Sequence, residues 1–67
     1  MKLHESITAE RVVQAVEEAH RSLTSPGFCV ACGVDVDGVE PDARDYYCDN
    51  CDEAAVYGAE ELLFHVS

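Results

Sequence analysis

The chain predicts an α+β fold: an N-terminal helix, a four-cysteine ribbon with short antiparallel strands, and a short C-terminal helix. Three observations predict it. Apolar residues recur at helical spacing early in the chain, and all four cysteines fall in two C-x-x-C pairs, "FCVACG" and "YYCDNCD". A tail, "VYGAEELL", then changes from strand-like to helix-like composition at one glycine. The 67 residues form a single domain in this reading, with the first helix over 8–24, the ribbon over 28–57 and the last helix over 58–67.

The first helix is well punctuated. Thr8 is the expected N-cap, and Glu10 suits the positive end of the helix dipole in the first turn. Ile7 and Val12 flank the cap at the spacing of a hydrophobic staple. Val12, Val16, Ala19 and Leu23 follow at helical intervals, with Val13 widening the stripe. Glu17 and Arg21 stand four apart in the favourable order for an ion pair. "SPG" at Ser25 to Gly27 is the stop signal, because proline cannot continue a helix and glycine turns sharply.

Between Phe28 and Tyr57 the pattern becomes short extended pieces. Val34 and Val36 alternate with Asp35 and Asp37, and Asp37-Gly38 is a hairpin turn signal from which Val39 would begin the return. "EPDAR" makes a second turn, and Asp45 to Cys48 reads as another strand. Two readings fit the end of the chain. In the preferred one "AAVY" is a strand, Gly58 caps, and Ala59 to Val66 is a short helix. In the other, Asn50 caps a longer helix from Cys51, which places Gly58 in a helix interior at a cost of about 1 kcal/mol relative to alanine.

A chain this short buries only about 60% of the surface its unfolded form exposes. Such scaffolds usually need disulfides or a structural metal. "MKLHESITAE" lacks a continuous apolar segment, so no secretory signal is expected, and the expected location is the cytoplasm, where thiols stay reduced. Paired C-x-x-C motifs there favour a metal. The two pairs are separated by fifteen residues, within the usual span of four-thiolate zinc sites. Each C-x-x-C turn brings two sulfurs to one ion. Gly33, directly after the second cysteine of its pair, supports the positive φ that closes the turn, and Asp52 holds the matching place with less ease. The metal ligands are therefore Cys29, Cys32, Cys48 and Cys51, holding one zinc per chain. Iron also suits tetrahedral sulfur. Rubredoxins are similar in size and acidity, but they separate their pairs by a longer segment and lack the first helix.

Other candidates are weaker. His4, His20 and His65 share no spacing with other ligands and read as solvated side chains. Phe28, Tyr46, Tyr47, Tyr57 and Phe64 read mainly as packing around the metal site. Asp35, Asp37, Glu40 and Asp42 crowd one loop without the oxygen spacing of a calcium hand. No Ser-His-Asp set, paired-carboxylate site or glycine-rich phosphate loop stands out, so an enzyme is not expected. Fourteen acidic residues face four basic ones, Lys2, Arg11, Arg21 and Arg44, for a formal charge of −10. With no basic cluster to neutralise phosphates, no direct nucleic-acid binding is expected. No run approaches the roughly 20 apolar residues that span a bilayer, so no membrane partner is expected.

The segment "GFCVACGVDVDGVEPDARDYYCDNCDEAAVYGAEELL", residues 27 to 63, resembles small zinc-ribbon-like proteins of bacteriophages and prophage regions. The resemblance implies a phage or bacterial origin, hence a host cytoplasm, and it supplies no activity. A looser resemblance links the helix, the C-x-x-C-G, the acidic arginine-containing loop and the second C-x-x-C to the TraR and DksA family. It implies the same four zinc ligands and a place in the secondary channel of bacterial RNA polymerase. The loop here is slightly shorter than theirs, and "VYGAEELL" is not their strongly basic helix. The expected function is a zinc-stabilised module that binds a protein partner, in its sharper form an acidic inhibitor of a host nucleic-acid-binding protein. The alternative is a TraR-like modulator of RNA polymerase. A monomer or weak homodimer is expected.

Overall fold

The computed structural model describes residues 3–66. Met1, Lys2 and Ser67 lie outside the described residues, and with them one of the four basic side chains and the last position of the expected 58–67 helix. The α+β order is the expected one: α1 (Ala9–Ser22), β1 (Pro26–Cys29), β2 (Asp35–Asp37), β3 (Tyr46–Tyr47), β4 (Ala54–Gly58) and α2 (Ala59–Val66).

Helix α1 starts as the sequence predicts. The Thr8 hydroxyl accepts the Arg11 N–H, and Ile7 and Val12 are buried in one cluster. It ends earlier than expected. Leu23 takes a left-handed backbone (φ 57°) and donates its N–H to the Ala19 carbonyl at 2.9 Å, so the helix stops before "SPG". That places Leu23 outside the apolar stripe, 93% exposed, and Val13 is also exposed. Only Val12 and Val16 of the stripe are buried. Arg21 pairs with Glu18 at 3.4 Å, one turn position away from the Glu17 expected for it.

Pro26 and Gly27, read as a helix stop, are the first residues of β1. The strands form one antiparallel sheet in the order β2-β1-β4-β3. The Asp37-Gly38 turn does not open the expected hairpin. Strand β2 pairs backward with β1, and Gly38 and Val39 both donate N–H to the Ser25 carbonyl (2.9 and 3.2 Å). Val39 is therefore drawn inward as a buried loop residue. The "EPDAR" turn is present, with the Ala43 N–H on the Glu40 carbonyl at 3.0 Å. Of the expected strand Asp45 to Cys48 only Tyr46–Tyr47 pairs, because Asp45 turns through a positive φ of 55°. The end of the chain follows the strand-then-helix reading, with Gly58 closing β4.

Side chains alternate across the sheet. On one side Phe28 joins Ile7, Val12, Val16, Ala59 and Leu62 beneath the two helices. On the other, Cys29 joins Val39, Ala43, Cys48 and Val56. The helices pack on each other, α1 on β1, and α2 on β1 and β4. No helix among the described residues is long and apolar enough to cross a membrane.

Candidate metal centre

The sheet explains how four distant cysteines meet. Strands β1 and β2 form a hairpin with the first C-x-x-C pair in its turn, and β3 and β4 form a second hairpin around the other pair. Antiparallel pairing of β1 with β4, Cys29 opposite Val56, lays the hairpins side by side with both turns at the same end. The sulfurs of Cys29, Cys32, Cys48 and Cys51 then lie within 4.8 Å of one another. Cys29 and Cys48 are buried, Cys32 and Cys51 half-buried.

Across the hairpins, the Cys29 and Cys51 sulfurs are 3.6 Å apart and those of Cys32 and Cys48 are 3.8 Å apart. A disulfide needs about 2.05 Å. All four cysteines are free thiols, and this cluster can hold a metal ion. The two turns share a hydrogen-bond scheme. Cys29 donates its N–H to the Val34 carbonyl (3.0 Å) and Cys48 to that of Glu53 (2.8 Å).

Three of the sulfurs sit in surroundings that shift their proton affinity in different directions. Asn50 Nδ2 donates to Cys32 Sγ at 3.4 Å, and this bond, with a second from the Val34 amide, pulls the Cys32 thiol down to about 6. Burial, then a hydrogen bond donated by the Cys51 thiol to the Cys29 sulfur, pushes Cys51 up to about 12. Burial also raises Cys29, against the Cys32 and Ala31 amides that favour its thiolate. Four thiols packed together cannot all carry charge unaided, so ionising one strengthens the others' hold on their protons. A cation among them reverses that balance.

Two contributors had no signal in the cysteine spacing. Asn50 lies inside the second pair, and only its amide group, set against alanine at the matching place in "CVAC", distinguishes it. Arg11 joins parts 22 to 24 residues away. Its guanidinium donates to the Ser6 carbonyl (2.9 Å) and the Gly33 carbonyl (3.4 Å), pairs with Asp35, and lies 4.7 Å from the centre of the Phe28 ring. It fastens α1 to the first cysteine turn.

Of the histidines, His20 and His65 are exposed as expected, and His4 departs from that reading. His4 is half-buried against Ser6, with Nδ1 2.8 Å from the hydroxyl, and none of the histidines joins the cysteines. His20 faces Glu60 at 3.9 Å, and His65 faces Glu61 at 3.4 Å. The aromatic residues do not pack around the sulfurs. Phe28 belongs to the helix-side core, Tyr57 packs against that core, and Phe64, Tyr46 and Tyr47 are exposed. All three tyrosines instead donate to carboxylates: Tyr46 to Glu40 (2.9 Å), Tyr57 to Asp45 (2.8 Å) and Tyr47 to Asp52. Comparison of the chain with family models, characterised proteins and solved structures returns no match, so neither family resemblance gains support there.

Proposed function

We propose that the chain is a zinc-stabilised protein-interaction module with an acidic surface. The spacing of the four sulfurs carries the zinc reading. Tetrahedral zinc binds thiolate at about 2.3 Å, which puts neighbouring sulfurs about 3.8 Å apart. The Cys29–Cys51 and Cys32–Cys48 separations of 3.6 and 3.8 Å match that edge, and all four sulfurs lie within 4.8 Å of one another. The four thiolates would be the complete ligand set, leaving no open position for chemistry on the ion, and such closed sites contribute to folding.

The interaction reading is supported by the distribution of charge. Every acidic residue except Glu60 and Glu61 is exposed. Each described arginine already faces a carboxylate: Arg11 with Asp35, Arg21 with Glu18, Arg44 with Glu61. That leaves a surface suited to a basic protein partner and, in the sharper form of the proposal, to one whose basic surface otherwise holds nucleic acid. Affinity capture from a bacterial host lysate tests it. Enrichment of basic nucleic-acid-binding proteins, lost as salt rises, is the expected result. Salt-resistant capture of RNA polymerase alone would favour the TraR-like alternative.

A further inference from the structure

We infer that the free edge of β2 binds an extended basic segment of a protein partner, adding it to the sheet as a fifth strand with Lys or Arg at alternate positions. This inference rests on the interaction reading above and names the chemistry of the partner.

The backbone register points to this edge. Strand β2 lies at one end of the sheet and, among the described residues, pairs only with β1. Cys29 donates to the Val34 carbonyl and Gly38 to the Ser25 carbonyl, with Gly27 opposite Val36 between them. In an antiparallel ladder such pairs alternate, so Val34, Val36 and Gly38 turn their polar groups toward β1. The N–H and C=O groups of Asp35 and Asp37 therefore face outward, offering two donors and two acceptors to an added strand.

The side chains define what that strand must carry. Asp35 reaches Arg11 on α1, and its cross-strand partner Phe28 sits in the helix-side core, so Asp35 and Asp37 project toward α1. Val36 projects to the other side, against the cysteine-side core. Both sides have room. A groove of about 540 Å³ runs between α1 and the β1–β2 pair, with Ala15, Pro26 and Phe28 at its base and Glu18, Asp35 and Asp37 on its rim. A hollow of about 250 Å³ lies on the opposite side, lined by Val34, Val36, Tyr47 and Asn50.

Charge selects the occupant. Three carboxylates line the groove against one guanidinium, that of Arg11, which Asp35 already holds. Asp37 meets no cation among the described residues. A second copy of the chain pairing edge to edge would set Asp35 and Asp37 against the same acids, and like charges directly opposite are destabilising. A strand with basic side chains opposite Asp35 and Asp37 and an apolar one opposite Val36 satisfies every group. The recognised pattern is basic–apolar–basic.

The test uses the full chain, its metal content measured first, and a capped peptide KVKVK. A second peptide is N-methylated at its lysine amides, which keeps the charges and removes the N–H donors facing β2. The expected result is amide shifts in the chain's NMR spectrum over residues 34–38 and at Ala15 and Glu18, with slowed exchange at Asp35 and Asp37. Asp37→Asn should raise Kd about threefold, and N-methylation should abolish binding. A folded, metal-loaded chain that ignores KVKVK, or binds both peptides equally, overturns the edge-strand proposal and leaves the metal reading standing. A folded chain without metal overturns the metal reading instead.

Discussion

Gly33 and Asp52 occupy equivalent places in the two cysteine turns. Each follows the second cysteine of its pair, each has a left-handed backbone (φ 83° and 60°), and each donates its N–H to the carbonyl of the first cysteine, at 2.7 and 2.8 Å. The same turn is thus built twice, once with glycine and once with a residue that bears a Cβ. Aspartate tolerates this conformation better than most residues, and its carboxylate accepts the Tyr47 hydroxyl as well.

The first prediction follows from that pair. Gly33→Ala places a Cβ at positive φ and drives it against the side chains of Ser6 and His4. The cost should be about 1–2 kcal/mol in chemical denaturation of the metal-loaded chain. Asp52→Gly should be close to neutral, because relief of the left-handed conformation offsets the lost Tyr47 bond. Equal stability of Gly33→Ala and the parent chain would show that the first turn does not need its glycine.

Gly58 governs a different constraint. A Cβ there would collide with the carbonyl oxygens of Glu40 and Pro41, where the "EPDAR" turn crosses the β4–α2 corner. The Gly58 N–H reaches the Ala43 carbonyl at 3.0 Å in the same place. Backbone cannot retreat as a flexible side chain can, so Gly58→Ala should cost about 1–3 kcal/mol. A melting temperature equal to that of the parent chain would contradict the corner packing.

The three tyrosine–carboxylate bonds set an alkaline limit. Hydrogen bonds to Glu40, Asp52 and Asp45 raise the Tyr46, Tyr47 and Tyr57 phenols above their ordinary value of about 10. A group held protonated by the folded state contributes stability that is fully present below its unfolded pKa. That contribution is lost as pH rises through the folded value. Denaturation midpoints should therefore fall above about pH 10, in step with phenolate absorbance, and Tyr57→Phe should reduce the dependence. Unchanged stability through the phenolate transition would refute these bonds.

Charge gives a fourth expectation. Four thiolates around one divalent ion add two negative charges to the formal −10, so the loaded chain carries about −12. With the described arginines already facing carboxylates, binding to bare DNA or RNA should be undetectable at physiological salt. Micromolar retention on either nucleic acid would require a basic surface absent from the described residues.

The sequence is legible where a few neighbouring residues decide the outcome. The Thr8 cap, the "EPDAR" turn, the change from strand to helix at Gly58 and the meeting of the four cysteines all depend on short patterns. Local preference misleads where distant pairing competes with it. Asp37-Gly38 is a hairpin signal in isolation, but β1 claims β2 from the other side. Pro26 and Gly27 look like breakers, yet they begin a strand whose neighbours are β2 and β4. Arg11 and Asn50 act across the fold, on partners that spacing cannot reveal.

The central claim, that one zinc held by four thiolates maintains the ribbon, is tested most directly by elemental analysis alongside an amide NMR spectrum of the same sample. One zinc per chain is expected, with no visible colour. Its binding should contribute on the order of 10 kcal/mol, so chelation or Cys48→Ser should collapse the dispersed signals of residues 28–57. A metal-free preparation with the same dispersed spectrum would contradict the account.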